Sequence, residues 1–234
     1  MSKKLILLGE GDGDCAALPV LAKRIITEKA GWDALRFDRR APLRIGGVGK
    51  LVRDNCRRWI DYLRFALHRG DVGAVLVVLD GDDKCYPPGS GSPFCAAVAA
   101  RALVSQARSL AQAGSAYSLA IVFACMEYES WLIAGVSSLA GKALRDGRPG
   151  VRPNTQPPPN NLEREKRGAK QWLAEHMQTG YNEPLDQAPL TEMVDLGLIR
   201  ARLEMRSFRR LEHAIEQLID ANRSGVHVAT PVAQ

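Results

Sequence analysis

Acidic side chains follow three apolar runs of the sequence, at the points where each run ends. They are Glu10, Asp12 and Asp14 after "LILL", Asp80, Asp82 and Asp83 after "AVLVVL", and Glu127 and Glu129 after "SLAIVFA". Close carboxylates repel one another unless a cation neutralises them. Oxygen ligands without a nearby His or Cys suit magnesium or manganese better than zinc. The pattern therefore predicts a Mg²⁺ or Mn²⁺ site for phosphodiester chemistry, with one or two ions.

Each acid taken alone also has a structural interpretation. Asp12 or Asp14 could cap a helix that begins near Cys15, a common role for Asp. Asp80 and its neighbours could form an acidic turn. The joint placement after three runs favours the metal site, and Asp12 is the member expected to be a spectator or a helix cap.

The apolar runs predict strands over residues 5–8, 74–79 and 118–124, each apolar on both faces, as in a parallel sheet covered by helices. Apolar residues at three and four spacing predict helices over 15–31, 50–70 and 95–114. Residues 35–47, which contain Pro42, predict an edge strand or two short strands. The alternation indicates an α/β fold, a mostly parallel sheet flanked by helices. Its carboxyl edge is where ligands bind, so the acids converge there.

The domain organisation changes along the chain. Residues 1–135 form the predicted α/β core, and the Pro/Gly-rich residues 136–160 are a predicted loop. Residues 161–224 are a predicted C-terminal helical extension that packs on the core, with helices over 162–177, 190–203 and 207–222. Residues 225–234 are a predicted frayed tail. Trp131 is assigned to the core and Tyr181 to a loop.

The composition is that of a globular protein with a hydrophobic core. Of 234 residues, 46% are hydrophobic, which is ample for a core. No apolar run approaches the ~20 residues that span a bilayer, and the first apolar run is too short for a signal peptide. Five scattered cysteines without a CxxC pair suggest neither disulfides nor zinc. We expect a cytoplasmic protein with no membrane association.

The net charge of +6 favours an anionic partner such as nucleic acid, with a merely basic surface as an equal alternative. The candidate nucleic-acid contacts are Arg39, Arg40, Arg44, Lys50 and Arg209. Each could equally solvate a helix face or pair with a nearby acid. "GGVGKL" is not a phosphate-binding loop, because Arg44 and Leu51 stand where that motif needs Gly and Ser or Thr.

The motifs also carry a family resemblance. "LLGEGDGDCAALPVLAKRI" and "VVLDGDD" resemble the Toprim domain of topoisomerases, bacterial primases and overcoming-lysogenization-defect nucleases. "MEYESWLIAG", together with a Tyr and a Ser-Phe-Arg near the end, is similar to a Toprim-like family of small bacterial proteins. The resemblance covers about Lys4 to Leu218 and implies a Toprim-like fold.

The resemblance implies roles for individual residues. Glu10 matches the Toprim glutamate, an acid/base or metal-associated group, and Asp14 matches the second acid of the nuclease motif, so both are candidate catalytic residues. Asp80 and Asp82 match the metal-binding aspartates. Glu129 matches the acid of the Glu-Ser-Trp motif, with Glu127 as a neighbouring ligand.

The resemblance further implies a Mg²⁺-dependent nuclease that cuts DNA or RNA. Such a protein would be the effector of a bacterial anti-phage defence system and would work with a separate ATPase; a homo-oligomer is an open alternative to a monomer. One alternative function is a noncatalytic Toprim module that binds nucleic acid or a protein partner. Another is a phosphotransferase or phosphatase acting on small phosphates.

Overall fold

The computed structural model describes residues 2–164 and 168–231 and has an α/β architecture built on a parallel sheet. The strands are β1 (Lys3–Gly9), β2 (Leu35–Phe37), β3 (Leu43–Arg44), β4 (Val72–Asp80), β5 (Ser118–Ala124) and β6 (Ala229–Thr230). Their order is β2-β1-β4-β5-β6, with β3 also beside β1, and these pairings are parallel. The predicted fold class is confirmed.

Helices cover both faces of this sheet. They are α1 (Asp12–Glu28), α2 (Val48–Leu51), α3 (Arg53–Leu67), α4 (Ala96–Ala111), α5 (Glu129–Ala134), α6 (Ala169–His176), α7 (Glu183–Met193), α8 (Leu196–Ala201) and α9 (Arg206–Ser224). Successive strand residues point to opposite faces. Leu5 and Leu7 accordingly pack in the core with α1 and α5–α9, whereas Ile6 and Leu8 pack with α2–α4. Burial on both faces explains the uninterrupted apolar runs.

Two predicted helices are each divided in the structure. The helix predicted over 50–70 becomes α2 and α3, with Val52 between them. The start of α3 is itself kinked, because Asp54, Asn55 and Cys56 have left-handed backbone angles, φ of 51°, 54° and 63°. Asp and Asn adopt that conformation more readily than most residues. The helix predicted over 190–203 becomes α7 and α8, and the Asp195 side chain accepts a hydrogen bond from the Gly197 N–H at 2.7 Å to cap α8.

Two further boundaries differ from the sequence prediction. In the predicted helix over 162–177, α6 begins only at Ala169, and residues 165–167 lie outside the described residues. The prediction of a frayed tail is wrong for β6, which pairs with β5 through Leu119 and Ala120. Ala229 is buried, and its carbonyl accepts a hydrogen bond from Arg108 at 2.8 Å. Backbone pairing thus orders part of the C-terminal segment.

The C-terminal helices close over the sheet and define its carboxyl edge. Helix α7 packs against the start of α1, where Gly13 is needed because a Cβ there would collide with Gln187 and Glu183. Helix α9 packs against β5. Within residues 2–164 and 168–231, every helix is too short or too polar to traverse a bilayer.

Candidate active site at the carboxyl edge of the sheet

A cleft of about 640 Å³ opens where β1 and β4 end. The carboxylates in its lining are Glu10, Asp12, Asp14, Asp80 and Glu183, and the cations are Arg44, Lys50, Arg58 and Lys170. The cleft therefore brings acids from the first two apolar runs to one place. It adds a lysine and a glutamate from the C-terminal helices.

Glu10 follows β1 and is held beside the end of β4. Its Oε2 accepts a hydrogen bond from the Asp80 backbone N–H at 3.1 Å. A Cβ on Gly47 would lie 2.8 Å from Glu10 Oε1, so glycine lets that loop pass against the carboxylate. Burial, with added repulsion from Asp14 and Asp82, raises the pKa of Glu10 to about 7.

Asp80 ends β4 between Glu10 and the segment that follows β5. Its Oδ1 accepts a hydrogen bond from the Tyr128 backbone N–H at 2.9 Å. Burial raises the pKa of Asp80 well above its usual range, and the charges of Asp14, Glu129 and Glu10 raise it further. Glu10 and Asp80 thus form the floor of the cleft, in an environment that disfavours their ionised forms unless a cation is present.

Asp14 links two helices in the cleft wall. Its Oδ2 accepts a hydrogen bond from the Gly11 N–H at the start of α1, and its Oδ1 accepts one from Gln187 Nε2 of α7, both at 2.9 Å. Burial raises its pKa. Because both oxygens are hydrogen-bonded, Asp14 has a positioning role in this structure. Asp12, the expected spectator or cap, is exposed in the first turn of α1 and pairs with Arg44 at 2.8 Å.

The acids after β5 are buried rather than open to the cleft. Glu129 is 1% exposed, and its Oε1 accepts a hydrogen bond from the Tyr181 hydroxyl at 2.8 Å. Its Oε2 is buried with no hydrogen-bond partner among the described residues, and burial raises the pKa of Glu129 to about 7. Glu127 accepts hydrogen bonds from the backbone N–H groups of Gly168 and Lys170 at 3.2 and 3.3 Å, at the start of α6.

Lys170 is the functional candidate that sequence reasoning missed. Its Nζ donates a hydrogen bond to Glu183 Oε2 at 2.6 Å. Although burial lowers the pKa of Lys170, the charges of Glu129, Asp80 and Glu183 raise it above its usual range, so the ammonium is charged at neutral pH. The lysine lies outside the recognised motifs in "RGAKQWL", and its relevance comes only from the tertiary structure, in which α6 packs on α5 and Lys170 lines the cleft.

The donor set fits a smaller metal site than the sequence predicts. Among residues 2–164 and 168–231, no group of three or more His, Cys, Asp or Glu side chains could hold a metal ion. Asp82 is exposed, Glu127 accepts two backbone N–H groups, and Glu129 is buried against Tyr181, so the predicted carboxylates do not form one ligand set. Magnesium typically needs only one or two protein carboxylates, with waters and substrate phosphates completing its coordination. Glu10 and Asp80 meet that requirement for one ion.

The predicted cations are also separated. Arg44 and Lys50 line the cleft. Arg39 and Arg40 line a different cavity of about 220 Å³, where Arg40 pairs with Asp38 at 3.1 Å. The Arg209 guanidinium donates to backbone carbonyls between α8 and α9, that of Arg202 at 3.1 Å and that of Leu203. Arg58 lines the cleft and was not predicted, because its helix carries several arginines of similar spacing.

Trp131 lies in the core, as predicted, and it connects the Glu-Ser-Trp motif to the Ser-Phe-Arg motif. It is 1% exposed, its Nε1–H donates to Ser207 Oγ at 2.8 Å, and its ring packs on Phe208 with centroids 5.7 Å apart. The Glu-Ser-Trp segment therefore contacts the Ser-Phe-Arg segment through the core. This contact fixes α5 and, with it, Glu129.

The fold and cleft define an α/β protein with a parallel sheet and an acidic carboxyl edge. The family model described as "Domain of unknown function (DUF4276)" matches residues 9–216, and the chain belongs to that family. Searches of curated proteins and of solved structures find no significant match.

Proposed function

We propose that this protein is a Mg²⁺-dependent, Toprim-type nuclease that hydrolyses phosphodiester bonds of DNA or RNA. The observation that carries the proposal is the meeting of Glu10 and Asp80, from neighbouring parallel strands, at the floor of a cleft with Lys170 beside them. The raised pKa of each carboxyl group supports a cation site, because a bound cation would relieve the unfavourable charge.

The residues have separate roles in this proposal. Glu10 and Asp80 hold the ion, with Mn²⁺ as an alternative to Mg²⁺. When bound there, the ion would supply Lewis acidity toward the phosphate and would make a bound water easier to deprotonate. Lys170 stabilises the negative charge that grows on the phosphate as the bond breaks. Asp14 keeps α1 and α7 together, so that Lys170 and Glu10 face the same space.

The sequence resemblance supports the wider biological part of the proposal. The protein would be a cytoplasmic effector of a bacterial anti-phage defence system, and a separate ATPase would supply nucleotide hydrolysis. This part follows from the resemblance to Toprim nucleases and from the failure of "GGVGKL" to match a phosphate-binding loop.

A second candidate is a noncatalytic Toprim module that binds nucleic acid or a protein partner. The specific observation that favours it is that, within the part of the chain that the structure describes, no three His, Cys, Asp or Glu side chains are arranged to hold a metal ion. A binding module would keep the cation-lined cleft without needing a complete catalytic ligand set.

Cleavage assays separate these two functions. Plasmid, single-stranded DNA, total RNA and a small phosphodiester would each be incubated with the protein in Mg²⁺ or in chelator. We expect Mg²⁺-dependent cleavage of a polynucleotide that falls by roughly 10³-fold or more in Asp80→Asn. Asp33→Asn is the matched control, because Asp33 is exposed, pairs with Arg223 and precedes β2 at the opposite edge of the sheet.

The outcomes are distinct. Cleavage that persists in Asp80→Asn or in chelator would contradict the proposed metal site. Binding of nucleic acid without cleavage of any substrate would favour the noncatalytic module. Cleavage confined to the small phosphodiester would favour a phosphatase-type activity.

A further inference from the structure

Helix α3 supplies an aromatic and cationic wall to the cleft. Arg58 and Tyr62 lie one turn apart on this helix, at the spacing that puts side chains on the same face. Both line the cleft, together with Lys50 of α2. Tyr62 is half-buried and packs against the core cluster beneath it, which holds its ring in place. The wall therefore combines a ring held by the core with two cations that line the same cleft.

The charges in the cleft are arranged in two levels. Glu10 and Asp80 are half-buried at the floor, whereas Lys50 and Arg58 are exposed at the rim. Phosphates of a polynucleotide can pair with rim cations without approaching the floor carboxylates directly. The Tyr62 ring lines the same cleft as those cations and can therefore stack on a base attached to such phosphates.

The size and chemistry of the cleft favour one strand over two. Its volume of about 640 Å³ is within the range of roughly 300–1,000 Å³ typical of pockets for single small ligands. That space suits a short piece of one strand. Aromatic side chains bind bases by stacking on an uncovered face, and the bases of a duplex have both faces covered by neighbouring pairs.

We propose that the cleft binds an unpaired nucleic acid strand, with one base stacked on Tyr62 and the adjacent phosphates paired with Lys50 and Arg58. This inference rests on the proposed function, since it takes nucleic acid as the ligand. It adds the substrate class: single-stranded DNA or RNA, or an unpaired region of a folded RNA.

Binding in chelator tests the inference separately from cleavage. Fluorescence anisotropy would compare a dye-labelled single-stranded oligonucleotide with the same sequence in a duplex. We expect the single strand to bind at least tenfold more tightly. Tyr62→Ala should weaken single-strand binding by roughly tenfold or more, the usual effect of losing one stacked base. Tyr62→Phe keeps the ring and should bind within about twofold of the wild type.

Two further variants make the result specific to stacking. Tyr62→Leu preserves apolar packing but lacks a π face, and should weaken binding as Tyr62→Ala does. Tyr86→Ala is the matched control, because Tyr86 lines a different groove, with Val52 and Cys56, and packs on Phe94. A 2-aminopurine base in the oligonucleotide should be quenched on binding to the wild type and less so with Tyr62→Leu.

Equal or tighter binding of the duplex would overturn the inference, as would Tyr62→Leu binding like the Tyr86→Ala control. Tyr62-dependent binding of a single strand without cleavage would sustain the inference and contradict the nuclease proposal. Cleavage of duplex DNA, with binding that does not depend on Tyr62, would support the nuclease proposal and contradict this inference.

Discussion

The carboxylates after β1 and β4 contrast with those after β5, although all of them lie at the carboxyl edge of one parallel sheet. Glu10 and Asp80 line an open cleft, whereas Glu129 is buried beneath Tyr181 and Glu127 receives the backbone N–H groups at the start of α6. The difference arises from what covers each strand end. Sheet topology brings an acid to the edge, but the neighbouring helices decide whether it can meet a ligand.

After Asp80→Asn, replacing Lys170 gives the largest expected effect, because the charges of Asp80 and Glu129, from both groups of acids, act on its ammonium. In Lys170→Met we expect turnover of the cleaved substrate to fall by roughly 10²-fold, since a cation that stabilises transition-state charge is lost. Single-turnover rates at saturating substrate would measure this loss. A charge-preserving Lys170→Arg that recovers part of the rate would attribute it to the cation. Full activity in Lys170→Met would show that the cleft acids work without it.

The pH dependence of stability tests whether burial raises the pKa of Glu129. The pKa of Glu129 is raised from an ordinary 4.5 to about 7, so the folded state holds a proton that the unfolded state releases. Stability should therefore fall as the pH rises from about 4.5 to 7 and level off above that. In chelator, the drop in Tm between pH 5 and pH 7.5 should be smaller in Glu129→Gln than in the wild type, by a few degrees.

Asp33→Asn is the control for this measurement. The Arg223 guanidinium holds the pKa of Asp33 below its usual range, so this carboxylate stays ionised from pH 5 to pH 7.5. Its variant should show the same drop in Tm as the wild type. An unchanged drop in Glu129→Gln would mean that Glu129 is ionised at neutral pH, as a metal ligand would be.

Glu127→Gln gives the smallest expected effect. It tests whether Glu127 caps α6 or serves as a metal ligand. Gly168 and Lys170 donate to different oxygens of Glu127, and in Gln one of these becomes an NH₂ group that cannot accept, so the free energy of unfolding should fall by about 1 kcal/mol. Cleavage should stay within about twofold of the wild type, because Glu127 does not line the cleft. Urea unfolding and the plasmid assay measure the two quantities. A large loss of cleavage with unchanged stability would restore Glu127 as a ligand.

The apolar runs of the sequence predicted the long strands well, because a strand buried on both faces is apolar at every position. Ser118–Ala124 is apolar on both faces and is the strand that the sequence predicts. The helices were less predictable, since apolar spacing does not reveal the left-handed angles of Asp54 to Cys56, which kink the start of α3. Strand β6 was missed because Ala229 and Thr230 form a strand only by pairing with β5.

The sequence by itself determined that an α/β sheet carries acids at one edge, because apolar runs and the residues that follow them are adjacent along the chain. Only the tertiary structure decided which acids form a site. The segment from α6 to α7, far along the chain from β1, sets Tyr181 against Glu129 and brings Lys170 into the cleft with Asp80. Burial and charge depend on neighbours in space, and spacing along the sequence does not specify them.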